Sequence, residues 1–197
     1  MIMLSSPNLP FIIGNDICHI PRVRSILKGR FGPQLVRRIL RTEEIQHSTT
    51  ARILRCIHNQ NAQSSQAGFD RAVEFMAGRF AAKEAVIKAH PHRRLTFQCI
   101  AILRATSNSS GGSGQGQGQE SIFREVKSGL QPQDKTSQSA PLVALIKAGE
   151  SAQSDIYASV SISHDADYAT AVCLGINPTS QLLWGSTMQN TVPKLDT

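Results

Sequence analysis

Apolar positions along the chain fall into two rhythms. Phe11 to Ile17 (FIIGNDI) is a short apolar run bounded by Pro10, which predicts a strand. Pro21 suits the first turn of a helix. Val23, Ile26, Leu27 and Phe31 then recur at helical spacing, with Arg22, Arg24, Lys28 and Arg30 mostly off that face. Gly32-Pro33 breaks this helix. Leu35, Val36, Ile39 and Leu40 make the stripe of the next one, with Arg37, Arg38 and Arg41 outside it. Thr42 followed by Glu43 and Glu44 predicts another helix start, a hydroxyl cap with acids in the first turn. The strongest helical pattern runs from Asp70, as the cap, to His90, and Pro91 ends it. Its stripe is Val73, Met76, Ala77, Phe80 and Ile87, and Glu84 fills the gap in it.

The remainder reads mostly at period two. Leu95 to Arg104, Leu142 to Ile146, Ile156 to Ser163 and Tyr168 to Leu174 predict strands. The last two are joined at His164-Asp165-Ala166-Asp167, which predicts an antiparallel hairpin. Residues 106–120, TSNSSGGSGQGQGQE, have no apolar face to offset their ordering entropy. Residues 106–140 are therefore expected to form an inserted, largely disordered loop, with a short strand at Ile122 to Val126 as an option. Strand, helices, then strands predict an α+β fold: an antiparallel sheet packed against a long central helix and shorter helices. The domain is expected over residues 10–177, with a C-terminal tail at 178–197.

Composition narrows the class. The 197 residues are 40% hydrophobic and 18% charged, a balance that supports a packed core. The sequence contains no run of about 18 apolar residues, so no membrane-spanning helix is expected. It opens without a charged-then-apolar leader, which points to an intracellular chain. Twenty-one basic residues against 14 acidic ones give +7, so the partner is expected to be anionic: nucleic acid, phosphorylated cofactor, acidic protein or lipid surface. Cys18, Cys56, Cys99 and Cys173 form no CxxC pair and read as buried reduced thiols.

Two carboxylates stand in places that ask for a reason. Glu84 lies on the core-facing stripe, with Lys88 one turn on. An i,i+4 pair worth a few tenths of a kcal/mol is the plain reading. Arg79 and Lys83 on the same helix leave one acid among three bases, a grouping that suits a metal with phosphates. Asp16 ends an apolar strand after Gly14. It either caps the following turn or supplies a second carboxylate to a hard cation such as magnesium. His164 at the hairpin corner reads as solvated; His19, close to Asp16, is either a ligand or, as a lone histidine more often is, structural; His47, His58, His90 and His92 show no ligand spacing.

The order of these features is more specific than any one of them. Gly14-Asn15-Asp16 with Arg22 is followed by Arg79-Phe80-Ala81-Ala82-Lys83-Glu84-Ala85 with Lys88. Ser161-Ile162-Ser163-His164 with Tyr168-Ala169 comes last. This resembles the 4′-phosphopantetheinyl transferases, most of all the single-lobed holo-acyl-carrier-protein synthase type, over roughly Ile12 to Cys173 without the insert. The insert, the Ser139-Ala140-Pro141 in place of a Gly-x-Pro turn, and the shortened stretch at 148–154 depart from the compact family pattern.

The resemblance implies magnesium-dependent transfer of the phosphopantetheine arm from coenzyme A to a serine of an apo acyl carrier protein, releasing adenosine 3′,5′-bisphosphate. It implies Asp16 and Glu84 as metal ligands, with Glu84, through a water, taking the serine proton. Lys88 would reach the diphosphate, and Arg79, Lys83 and His164 would hold the rest of the coenzyme. Arg22, Arg24 and Lys28 would dock the acidic carrier. It further implies a homotrimer in which His164 acts across an interface, in the cytoplasm or the mitochondrion. A magnesium-dependent phosphohydrolase, a catalytically dead scaffold and a basic nucleic-acid-binding module are the rival readings. Aromatics at 5% and the lack of a recognised motif disfavour the last, so no nucleic acid is expected.

Overall fold

A computed structural model describes residues 9–58, 66–104, 141–147 and 154–178. The elements are β1 (Phe11–His19), α1 (Ile20–Lys28), α2 (Gly32–Ile39), α3 (Thr42–Gln46), α4 (Ser48–His58), α5 (Gln66–Ala89), a 3₁₀ turn at Phe97–Cys99, β2 (Ile100–Arg104), β3 (Leu142–Ile146), β4 (Ile156–Asp165) and β5 (Tyr168–Ile176). The five strands form one antiparallel sheet in the order β1-β5-β4-β3-β2, with the helices packed on it. This is the α+β architecture read from the sequence.

Helix α5 lies against β1, β5 and β4. The contact is close because both sides are small. Ala72, Ala77, Gly78, Ala81, Ala82, Ala85 and Ala89 are buried on the helix, and Gly14, Cys18, Ala169, Ala171, Cys173 and Gly175 are buried on the strands. A Cβ at Gly14 would lie 1.9 Å from the Ala85 carbonyl oxygen and 2.6 Å from the Ala89 nitrogen, so only glycine lets strand and helix meet there.

Large apolar side chains on these two strands point the other way. Register pairs Phe11 with Ile176, Ile13 with Leu174 and Asn15 with Val172. Phe11, Ile13, Ile17, Tyr168, Val172, Leu174 and Ile176 are all exposed, Ile13 at 70% and Ile17 at 62%.

Several boundaries move from expectation for local reasons. Asp70 does not cap α5, which starts at Gln66; instead Asp70 pairs with Arg24 of α1 and accepts from Gln66. Thr42 is the first helical residue of α3 and not its cap. Arg41 occupies that position, and its backbone N–H donates to the Glu44 carboxylate at 3.0 Å. The strand expected from Leu95 begins only at Ile100. The preceding 3₁₀ turn lets the Gln98 amide donate to the carbonyls of Arg37, Arg38 and Leu40 at the end of α2. In the hairpin, His164 and Asp165 belong to β4, and the turn is Ala166-Asp167, with Ala166 at φ 45°. The expected insert at 106–140, its optional strand and residues 179–197 of the tail lie outside the described residues.

Candidate active site

The meeting of β1 and α5 sets the first cluster. The Lys88 ammonium donates to Asp16 Oδ1 at 2.7 Å and to the Asn15 carbonyl at 3.0 Å. The Asp16 side chain is 15% exposed and that of Lys88 52%, so the carboxylate is mostly sheltered and the ammonium half in solvent. Thr170 donates its hydroxyl to the Asp16 carbonyl at 3.1 Å, and Asp16 lies inside β1, which runs on to His19, instead of at its end as expected. Glu84 stands one helical turn before Lys88, about 6 Å along the axis. It is half-buried and has no hydrogen-bond or ion-pair partner among the described residues. Lys88 therefore bridges helix to strand instead of closing an i,i+4 pair with Glu84.

Lys88 and Asp16 thus meet where α5 crosses Gly14, and Glu84 stands one helical turn away on α5. Oxygen donors of this kind suit a hard divalent cation, with water and phosphate oxygens completing its shell. Among the described residues there is no group of three or more His, Cys, Asp or Glu side chains that could hold a metal. Asp16 and Glu84 are the two carboxylates here that could contribute oxygens to such a shell.

Lys83 goes elsewhere. Its side chain is fully buried, and its ammonium donates to Glu44 Oε2 at 2.5 Å, to the Ile39 carbonyl at 2.7 Å and to the Phe97 carbonyl at 3.2 Å. All three donors are used. Burial pulls this ammonium below the usual lysine range, with the Glu44 charge opposing the shift. The expectation that Lys83 holds a coenzyme phosphate is corrected on this ground, since it has no donor left and no path to solvent. Arg79 is half-buried, its guanidinium 4.8 Å from the Phe75 ring, and burial likewise lowers its pKa.

His164 is exposed near the end of β4. Its Nε2 lies 3.1 Å from the Glu74 carbonyl, and a Cβ on Gly78 would come within 2.8 Å of it. Glu74 and Gly78 precede Lys88 by 14 and 10 residues. At 1.5 Å per residue that is about 15–20 Å along α5. Among the described residues, His164 has no hydrogen bond or ion pair with Asp16, Glu84 or Lys88.

On α1, Arg22 is exposed and lies 5.8 Å from the Phe80 ring. Lys28 is exposed, 5.9 Å from the Phe69 ring. Arg24 is already paired with Asp70. The four cysteines are free, and burial pushes the Cys173 thiol up to about 11, the behaviour of an inert thiol.

Glu44, the partner that makes Lys83 structural, was legible only as an acid in a first turn. The available signal was Lys83 itself, flanked by Ala81, Ala82, Ala85 and Val86, a setting that buries it.

Residues 12–173 match the family model for ACPS, the 4′-phosphopantetheinyl transferase superfamily. The chain is 34% identical over 77 residues to the holo-[acyl-carrier-protein] synthase of Ehrlichia chaffeensis, covering 39% of this chain and 50% of that protein. It is 35% identical over 98 residues to the enzyme of the same name from Herminiimonas arsenicoxydans, covering 48% and 65%. The chain thus spans half to two thirds of these curated relatives. Among solved structures, it resembles the holo-ACP synthase of Plasmodium yoelii at TM-score 0.47 and 18% identity, covering 84% of this chain and 95% of that one. The Helicobacter pylori holo-[acyl-carrier-protein] synthase in complex with coenzyme A matches at TM-score 0.46 and 22% identity, covering 84% and 100%. The extent of the family match, across all three motifs, shows that this chain belongs to the 4′-phosphopantetheinyl transferase superfamily.

Proposed function

We propose that this chain transfers the 4′-phosphopantetheine arm of coenzyme A to a serine of an apo acyl carrier protein, using magnesium and leaving adenosine 3′,5′-bisphosphate. The observation that carries the reading is the Lys88–Asp16 contact one turn from Glu84, in a member of the transferase superfamily. The names of the curated relatives support it.

Asp16 and Glu84 would hold the cation. When bound, magnesium supplies neutralising charge to the diphosphate and to its leaving phosphate. Lys88, half in solvent, can turn its donors from Asp16 to phosphate oxygens. The serine oxygen attacks the phosphorus on the pantetheine side, and the bond from that phosphorus to the bisphosphate breaks. Glu84 accepts the serine proton through a water, the route open to a carboxylate too weak to act well directly. Arg79 and His164 are assigned to the remaining coenzyme phosphates.

The 15–20 Å between His164 and Lys88 along α5 supports a homotrimer in which His164 serves a neighbour's site. The exposed apolar face of β1 and β5 is the surface that such neighbours would cover. Arg22 and Lys28 offer outward charge for an acidic carrier, whereas Arg24 must first leave Asp70. The four free thiols fit a reducing compartment, cytoplasmic or mitochondrial. Among the described residues no helix is long and apolar enough to cross a membrane.

Intact-mass measurement of an apo carrier incubated with the protein, coenzyme A and magnesium tests the reading. Wild type adds the arm; Asp16→Ala and Glu84→Ala add nothing while keeping the wild-type circular dichroism. Full transfer by both variants overturns the site. Phosphopantetheine released without any carrier makes the protein a phosphohydrolase. Salt-sensitive RNA or DNA binding without coenzyme affinity makes it a nucleic-acid module.

A further inference from the structure

The side of helix α5 that meets the sheet offers little to set the helix's rotation. The side it lays on β1 and β5 is mostly alanine, and the strand surface beneath is glycine, alanine and cysteine. Small residues on small residues pack closely but lack the large side chains that lock one helix register against another. Val73, Met76 and Val86 are the larger apolar side chains that α5 buries, and Lys83 is the largest fully buried side chain of the described residues. Its ammonium enters a socket built from the end of α2 (Ile39 carbonyl), α3 (Glu44) and the 3₁₀ turn (Phe97 carbonyl). Glu44 is fixed in turn: Oε1 accepts the Ile102 N–H at 3.1 Å and Oε2 the Arg41 N–H at 3.0 Å. Every element of the socket is thus tied to another. Glu84 follows Lys83 directly, about 100° further round the helix.

We propose that the buried Lys83–Glu44 pair is a positioning device that sets the rotation and height of α5, and so aims Glu84 and Lys88 at Asp16. This rests on the transferase reading for its chemistry. Neither residue touches substrate; Lys83 acts through Glu84. A buried ion pair is seldom the most stable filling for its space, whereas its directional bonds specify geometry. That is the property a helix with a smooth face needs.

The test uses Lys83→Met and Lys83→Met/Glu44→Gln in the full chain, assayed in the cold and counted per folded molecule. Displacing reactive groups by about 1 Å costs about a hundredfold, so kcat is expected to fall by that order while KM for coenzyme A stays unchanged. Manganese affinity, read by electron paramagnetic resonance without substrate, is expected to fall by about tenfold, as when a supporting residue of a metal site is lost. A raised KM for coenzyme A with kcat intact would make Lys83 a ligand. Unchanged kcat, KM and manganese affinity in folded variants would make the pair purely structural. Failure of both variants to fold would make it a condition of the fold alone. Each of these three results overturns the proposal. A wild type that transfers nothing refutes the transferase reading separately, and the manganese titration still decides whether the pair aims Glu84.

Discussion

Replacing Gly14 with alanine probes the link between packing and chemistry. The added Cβ would sit 1.9 Å from the Ala85 carbonyl oxygen, whereas ordinary contact begins at 3.4 Å. Helix α5 must retreat from β1 by about 1.5 Å, because the clash is with backbone and no flexible side chain can yield. Overpacking of this kind costs about 1–3 kcal/mol, which shifts the urea midpoint clearly for a domain of this size. The same retreat stretches the 2.7 Å contact of Lys88 with Asp16 beyond hydrogen-bond range. Transfer is then expected to fall by about a hundredfold, a larger loss than the stability change explains. Paired urea denaturation and intact-mass assays on Gly14→Ala read both effects. Wild-type stability with wild-type transfer would refute the argument that strand and helix must touch for the site to form.

Further expectations concern assembly, docking and pH. Ile13→Asp or Val172→Asp, on the exposed face of β1 and β5, should convert a concentration-dependent oligomer to monomer in analytical ultracentrifugation and abolish transfer together with it. Arg22→Ala should raise KM for an acidic carrier more than Arg24→Ala does, because Asp70 already neutralises Arg24; the gap should close at high salt. His90 is buried and its Nδ1–H donates to the Val86 carbonyl at 2.8 Å. Burial holds its pKa below the ordinary 6.5, and the exposed His92 shifts the same way. The unfolded chain therefore takes up protons that the fold refuses. Stability is full above about pH 6.5 and falls as pH drops toward the folded pKa. Melting temperature should decline between pH 7.5 and 5.5, and His90→Gln should flatten that decline.

Local pattern carried much of the fold. Pro10, Pro21 and Pro91 act within one or two residues, so the start of β1, the start of α1 and the end of α5 could be read directly, whereas α1 already stops at Lys28 and Gly32-Pro33 opens α2, leaving Phe31 outside the α1 stripe. The hairpin could be read too, because β4 and β5 pair with their nearest neighbour in sequence. What escaped depends on distant contacts. Lys83 meets Glu44 across 39 residues, a pairing that no local pattern names. Phe11 to Ile13 is an unbroken apolar run and Ile17 is apolar too, so alternation could not tell that Gly14 and Cys18 face inward while Ile13 and Ile17 face outward. The site shows the same division. The motif order named Asp16, Glu84 and Lys88, and the structure ties Lys88 to Asp16. The same order also named Lys83 and His164, one of them buried in a socket and the other lying near the far end of the helix.

Helix α5 can be regarded as a strut with both ends clamped to one sheet. His164 meets it near Glu74, and Asp16 holds it at Lys88. The span between those clamps is fixed by helical pitch, so no loop movement within a single subunit can shorten it. A ligand that touches both ends must itself reach along that span of the helix.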